Sequence, residues 1–346
     1  MEETPVTVVI PHYTAEILVD CLAALQRYSP AAIRVIVVAD CPQAPSVAAA
    51  QEAFPQVEFL PNPRRLGFSG SCARGLAAVQ TPYAVLLNDD TLVTQDWLPP
   101  LLACVQADPQ VAACQAKLLS PAKAGRFDDG GAAGGYIDAL GFPFCRGRLF
   151  DQVEQDQGQY DGPATLFWAC GSAMFLRMEA VREVGSLDLD YFLHMEEIDL
   201  CWRLQLAGYR VEAVPASVVY HHSGFSMRPD TFARNYLKHR NNLIMICKNM
   251  DAGRLAWVLP VRLLLELLAS VGYLLKRQWP SVPAPLAGLA WCLTHPRNIW
   301  RRRRQSRALR RSPVCLRGVY RGSIVFQYFV RGVRTAGPLM PEGAGR

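Results

Sequence analysis

In Ala84-Val85-Leu86-Leu87-Asn88-Asp89-Asp90-Thr91, four apolar residues run straight into an amide and two adjacent carboxylates. A short apolar run that stops at polar turn residues predicts a buried strand over Ala84 to Leu87. Hard carboxylate oxygens at the carboxyl end of a strand can hold Mg²⁺ or Mn²⁺ against a diphosphate. The same Asp-Asp pair in an isolated turn would carry no chemistry. The flanking sequence has to decide between these two readings.

Upstream, Thr7 to Ile10 predicts a buried strand followed by a Pro11-His12-Tyr13 turn. Ile17 to Leu25 has helical spacing and Ile33 to Val38 is a second β-rich run, so the chain opens as βαβ. Val57 to Leu60 predicts another strand, and Gly67 to Val79 a helix with a glycine-bearing start. Strands alternating with helices imply a largely parallel sheet. Downstream, Val111 to Cys114 is a short apolar run, and residues 121–163, rich in Gly, Asp and aromatics, read as loops and short strands beside a cleft. Phe167 to Leu176 resumes the apolar pattern and Met178 to Val184 forms a short helix. Met195 to Ala207 has helical spacing, Val211 to Tyr220 turns β-like, and Thr231 to Met250 is helical again.

The 346 residues are 51% apolar and 19% charged, with 25 Gly and 25 Pro, which excludes a wholly disordered chain, a collagen and a long coiled coil. The 11 cysteines include no CxxC pair and no zinc-type His/Cys spacing, so they read mainly as small core residues. Charge is divided unevenly. Residues 1–250 carry 19 basic and 27 acidic side chains, net −8, whereas residues 251–346 carry 17 and 3, net +14. A basic excess that follows an apolar stretch suits an anionic membrane surface better than nucleic acid. Leu255 to Leu275 is the longest apolar tract and approaches the roughly 20 residues of a spanning helix. Arg262 and Glu266, four apart near its middle, can pair on one helical face and equally suit an interfacial helix. Pro283 to Leu293 precedes Arg297 and Arg301-Arg302-Arg303-Arg304, the order of an in-plane or re-entrant element beside acidic headgroups. Packing of these helices on the domain, or into a homodimer, is the alternative. Met1 to Pro5 has two Glu and no separate apolar run, so the expected location is cytoplasmic, peripheral on the inner face of the cell membrane.

Several further pieces stand in a fixed order: Val8-Val9-Ile10-Pro11 with Tyr13, Val37-Val38-Ala39-Asp40, Leu66-Gly67-Phe68-Ser69-Gly70, Trp168-Ala169-Cys170-Gly171-Ser172-Ala173-Met174, and His194-Met195-Glu196-Glu197-Ile198-Asp199-Leu200-Cys201-Trp202-Arg203. Together with Asn88 to Thr91, this set resembles family 2 glycosyltransferases of the GT-A fold, over about residues 5–245. Within that family it is similar to the bacterial rhamnosyltransferase-like enzymes of cell-surface polysaccharide. The resemblance implies an α/β fold, a nucleotide-diphospho-sugar transferase-like mixed central sheet flanked by helices, with a C-terminal apolar and basic helical extension. Residues 1–120 would form the nucleotide-binding half of a domain ending at 245, residues 121–245 its acceptor side, and residues 246–346 the membrane-associating or oligomerising extension.

The resemblance also assigns roles. Pro11, Tyr13 and Asp40 would receive the nucleotide, with Arg65, Gly67, Asn88 and Asp89 completing its site. Arg64-Arg65 stand where the family usually has Asn and would reach phosphate or cover surface. Asp90 is the direct metal ligand of the DXD-type segment, in which Asn88 replaces a carboxylate. His221 is the second ligand and His222 its rival. Glu196 and Glu197 form the catalytic acid pair, and Glu197, where the family has Asp, is the general base on the acceptor hydroxyl. On the acceptor side stand Trp168 as a sugar platform, Gly171, Asp188 and Asp199, with Asp199 also suited to contact Arg203. Trp202 reads as structural.

The expected reaction moves a sugar from a nucleotide-diphosphate donor, with Mg²⁺ or Mn²⁺, to a hydroxyl of a saccharide or lipid-linked glycan, with inversion. dTDP-rhamnose, UDP-galactose and UDP-N-acetylglucosamine are the donors considered. A noncatalytic glycan-binding or assembly protein, and a nucleotidyltransferase, are the rival readings.

Overall fold

The computed structural model describes residues 5–222 and 231–341. The first part alternates strands Val6–His12 (β1), Arg34–Ala39 (β2), Glu58–Pro61 (β3) and Tyr83–Leu87 (β4) with helices Leu18–Tyr28 (α1), Pro45–Ala53 (α2) and Gly67–Ala78 (α3). Every residue of β1 is buried, as expected of a strand covered by helices on both faces of a parallel sheet. Thr91–Val93 (β5), Leu98–Ala107 (α4) and Val111–Leu119 (β6) follow. Gly135–Ile137 (β7), Pro143–Cys145 (β8), Arg148–Leu149 (β9) and Gln152–Val153 (β10) then form a small antiparallel sheet within the Gly- and Asp-rich stretch. Ala164–Leu166 (β11), Ala173–Arg177 (β12), Met178–Val184 (α5), Glu196–Leu206 (α6) and Arg210–His221 (β13) complete the sheet domain.

The main sheet has the order β11-β13-β6-β12-β4-β1-β2-β3, with β5 paired to β13. Strands β3, β2, β1 and β4 run parallel. Strand β12 is antiparallel to both β4 and β6, so the sheet is mixed, as the family resemblance implied, and not largely parallel, as the strand–helix alternation alone suggested. Apolar alternation specifies which face is buried but not which way a strand runs. The direction is set by the Cys170-Gly171-Ser172 turn, where the Asn88 N–H donates to Ser172 O at 3.2 Å, so that β12 starts where β4 ends.

Strand β1 lies between β2 and β4, so chain order reverses there. The carboxyl ends of these three strands, at His12, Asp40 and Asn88, open onto one crevice, the usual ligand position in an open α/β sheet.

The remainder is helical: Phe232–Asn249 (α7), Ala252–Leu275 (α8), Ala284–Thr294 (α9), Pro296–Ala308 (α10) and Ile324–Phe329 (α11). Helix α9 packs on α7 and α8, and α10 on α7. The expected pair on α8 forms: Arg262 Nη2 donates to Glu266 Oε1 at 2.7 Å with both side chains buried. Arg262 Nη1 also donates to Asn242 of α7, and Glu266 meets His239 of α7.

Candidate active site

All seven residues expected to receive the nucleotide, Pro11, Tyr13, Asp40, Arg65, Gly67, Asn88 and Asp89, line one cleft. Asp40 organises one wall. Its Oδ1 accepts from Asn62 Nδ2 at 2.8 Å and Leu66 N at 2.6 Å, and its Oδ2 from Gly67 N at 2.9 Å. One carboxylate thus pins the start of α3 and retains acceptor capacity at Oδ2. Gly67 has φ +70°, and a Cβ there would lie 2.5 Å from the Phe192 carbonyl and ring, so no larger residue fits. Arg64 and Arg65 are both exposed, and the Arg65 guanidinium lies 4.3 Å from the Tyr13 ring centroid and 5.5 Å from that of Phe192. This stacked group forms a cationic, aromatic rim suited to a base or a phosphate.

The floor is built from the ends of β4 and β13. Antiparallel pairing sets His221 opposite Thr91 and brings His221 Nε2 to 3.0 Å from Asp90 Oδ1. His222 contributes its backbone N–H to Asp90 O at 2.9 Å, so His221 is the histidine whose ring meets the carboxylate. On the far side of that ring, Nδ1 lies 3.0 Å from Asp128 Oδ1. Burial disfavours the imidazolium, but the Asp128 and Asp90 carboxylates outweigh it and raise His221 to about 10. A cation at Nε2 would replace that proton.

Among the described residues no three His, Cys, Asp or Glu side chains form a ready-made metal cage. Two protein donors with a carboxylate behind the histidine nevertheless fit a divalent ion whose remaining positions go to substrate phosphate and water. Asn88 adds an open acceptor: its Nδ2 donates to Ser172 Oγ at 3.1 Å, while its buried Oδ1 has no donor in reach.

Sequence reasoning missed three residues of this floor: His12, Asp128 and Ser172. His12 Nδ1 donates to Asp89 Oδ2 at 2.7 Å and its Nε2 meets Ser46 Oγ at 2.9 Å. Burial raises the Asp89 carboxyl above its ordinary range despite that bond. A signal for His12 was present, because a histidine ending a wholly buried strand beside a strand-end Asp-Asp pair has few other partners.

Glu196 and Glu197 open α6, and each leaves one buried carboxylate oxygen, Oε2, without a hydrogen bond. Burial, followed by the charge of Glu197, raises Glu196 well above the ordinary carboxylate range. Burial alone pushes Glu197 up to about 7. Burial raises the Cys170 thiol and the charge of Glu197 raises it further, and Cys170 Sγ lies 3.4 Å from Ser172 Oγ, which joins the acid pair to the floor through neighbouring side chains.

The loop leading into α6 is strained. Phe192, His194 and Met195 have φ of 63°, 72° and 76°, each costing about 1–3 kcal/mol for residues other than glycine. Helix α7 holds it: Asn241 Nδ2 shares its protons among the carbonyls of Tyr191, Leu193 and His194, at 2.9, 2.8 and 2.9 Å. Asn241→Ala is expected to cost about 1–3 kcal/mol in urea denaturation and to lower kcat more than it raises the donor KM. Unchanged kcat in a folded variant would separate this clamp from the acid pair.

Three acceptor-side expectations need correction. Trp168 is buried, with Nε1 donating to Tyr136 O at 3.0 Å and the ring against Gly135, so it offers no platform to a sugar. Asp199 is fully buried and spends both oxygens on Arg203, Lys248, Tyr191 and Asn249. Burial would raise it, but Lys248 and Arg203 hold it below the usual range. Asp188 binds Lys248 and Arg302, fastening α7 and α10 to the loop instead of meeting an acceptor. Gly171 packs against Phe68, which lines the cleft; a Cβ at position 171 would lie 3.0 Å from that ring. Trp202 is buried edge-on to Phe167, as expected of a structural residue.

A cleft over the carboxyl ends of a parallel half-sheet, completed by antiparallel strands, defines a GT-A-like fold. The solved structure of GalNAc-T7 with UDP, GalNAc and Mn²⁺ shares it, with a TM-score of 0.55 at 14% identity over 70% of this chain and 47% of that one. Residues 7–184 match the model of glycosyl transferase family 2, and the chain belongs to that family. It is 29% identical over 182 residues to a pre-mycofactocin glycosyltransferase of Mycobacterium tuberculosis, covering 51% of this chain and 34% of the relative. It is 24% identical over 229 residues to an N-acetylglucosaminyl-diphospho-decaprenol L-rhamnosyltransferase of the same species, covering 62% and 73%. The chain thus spans about a third of the length of the first relative.

Proposed function

We propose that this protein transfers a sugar from a nucleoside-diphosphate donor to a hydroxyl of a growing, lipid-linked cell-surface glycan, with inversion. The observation that supports this best is a cleft that all the expected nucleotide-binding residues line, Asn88 and Asp89 among them, with His221 in contact with both Asp90 and Asn88. In this reading the base and ribose lie against Tyr13, Asp40 and Arg65, and Asn88 Oδ1 accepts from a hydroxyl. Asp90 and His221 would hold Mg²⁺ or Mn²⁺, which when bound neutralises the departing diphosphate. Glu197, raised toward neutrality by burial, takes the proton from the attacking hydroxyl, and Glu196 beside it stays protonated.

Among donors, dTDP-rhamnose comes first, supported by the rhamnosyltransferase among the relatives; UDP-hexoses follow. Residues 1–245 form the catalytic domain of the proposal and residues 246–346 its extension. A cytoplasmic position against the inner membrane face is supported by one helix, Ala252–Leu275, long and apolar enough to cross a bilayer.

The test is mass spectrometry of the purified chain with Mn²⁺, a panel of nucleotide sugars and an N-acetylglucosaminyl-diphospho-polyprenol acceptor. Nucleoside diphosphate release with a sugar-sized mass gain on the acceptor is the expected result. Release of the sugar 1-phosphate with the nucleoside monophosphate carried onto an acceptor would indicate nucleotidyl transfer, and nucleotide binding without turnover on any acceptor would indicate a noncatalytic glycan-binding role.

A further inference from the structure

Helix α8 is built inside out. Its buried positions recur every fourth residue, at Val258, Arg262, Glu266 and Ser270, so that its inward face carries the polar groups. Its outward face is apolar, with Leu264, Leu267, Leu268, Val271 and Leu275 between 49% and 78% exposed. A folded protein in water rarely leaves so long a leucine stripe uncovered. Two observations indicate what covers it. The helix is followed at once by exposed Lys276, Arg277 and Trp279, and residues 251–346 carry net charge +14. The inward charges are also anchored, Arg262 on Glu266, Asn242 and the Leu140 carbonyl, and Glu266 on His239.

We infer that Ala252–Leu275 lies flat on an anionic bilayer, its leucine face in the acyl boundary and the basic residues among the headgroups. Crossing the bilayer would strip Arg262 and Glu266 of their partners on α7 and carry both into hydrocarbon, an expensive exchange. Acidic headgroups complement the exposed Lys276 and Arg277 that follow the leucine face, whereas a second copy of the same face would bring only like charges. The span of α8, about 36 Å at 1.5 Å per residue, gives a long line of contact in the plane of the membrane. This inference deepens the lipid-linked reading above by naming the surface that meets the lipid. Vesicle binding neither needs nor reports sugar transfer, so either idea can fail without the other.

The experiment is flotation of the full-length chain with phosphatidylcholine vesicles, with and without phosphatidylglycerol, followed by alkaline carbonate extraction. The expected result is binding to the anionic vesicles, weakened by salt, with release by carbonate. The doubly substituted Leu264→Glu, Leu268→Glu chain should lose at least about 100-fold in partition coefficient, the equivalent of two buried leucines. Both positions are exposed, so its nucleotide binding and melting temperature should match the parent. Failure of the parent chain to bind anionic vesicles, or equal binding by the variant, overturns the proposal. Retention after carbonate does so too, by showing a spanning helix, as does light scattering that finds the leucine face covered in a stable dimer.

Discussion

Glu197→Gln is expected to lower kcat for sugar transfer by about 10²–10⁴-fold, the usual contribution of a positioned general base, while leaving nucleoside diphosphate binding nearly unchanged. Glutamine keeps the volume and the helix start but cannot take a proton. The parent enzyme should also show a pH dependence of kcat/KM that rises through about pH 7, because burial raises the Glu197 carboxyl to that range and the base works only when ionised. Above that pH the carboxylate is charged and activity levels off; below it the proton occupies the site and activity falls. The limb should vanish in Glu197→Gln. A variant with parental kcat, or one that keeps the same limb, would move the base elsewhere, with Glu196 the next residue to test.

Substitution of Asp128 by Asn is expected to weaken Mn²⁺ binding, measured calorimetrically with UDP or dTDP present, by about 10–100-fold. The carboxylate has two duties. Oδ1 faces His221 Nδ1 at 3.0 Å, while Oδ2 accepts from Gly130 N at 2.6 Å and Gly131 N at 3.2 Å. An amide has one accepting atom and can perform only one of them. If the imidazole is left unsupported, His221 Nε2 loses the orientation that sets it beside Asp90. The readout is metal affinity, so it does not depend on finding the acceptor. Parental Mn²⁺ affinity in a folded variant would show that the Asp128 carboxylate does not support the metal site, and His221→Ala would then test the histidine directly.

The strand ends were legible in the sequence because parallel strands buried on both faces read as uninterrupted apolar runs, and the first polar residues after them fall at the crevice. Asp89 and Asp90 stood out that way, and the family resemblance assigned Pro11, Tyr13, Asp40, Arg65, Gly67 and Asn88. His12 was hidden by Pro11, which makes Pro-His-Tyr look like a turn, although β1 continues through His12. Its partner Asp89 lies 77 residues further on. Asp128 sat among other Asp and Gly residues with nothing local to distinguish it from Asp129.

The acceptor side was misjudged for one physical reason. Asp188 and Asp199 read as ligand-binding acids because their cations, Lys248 and Arg302, come from helices that sequence proximity assigned to a separate extension. Trp168 read as a platform because an aromatic before a Gly-Ser turn is often exposed; here Gly135 makes room for the indole to pack inward. The direction of β12 left no trace in the alternation.

Helix α7 has an unusual division of labour among consecutive residues. His239 and Asn242 meet Glu266 and Arg262 of α8, while Arg240 and Asn241 hold the carbonyls of residues 190–194 in front of the acid pair. One rigid rod therefore bears on the leucine-faced helix and on the strained loop at the same level. Thermodynamic linkage follows: whatever binds α8 more tightly in one setting of α7 must tighten or loosen the acceptor side by the same factor, and an acceptor that orders the loop must repay that factor at α8. Any coupling of surface and site carried by α7 would therefore be reciprocal.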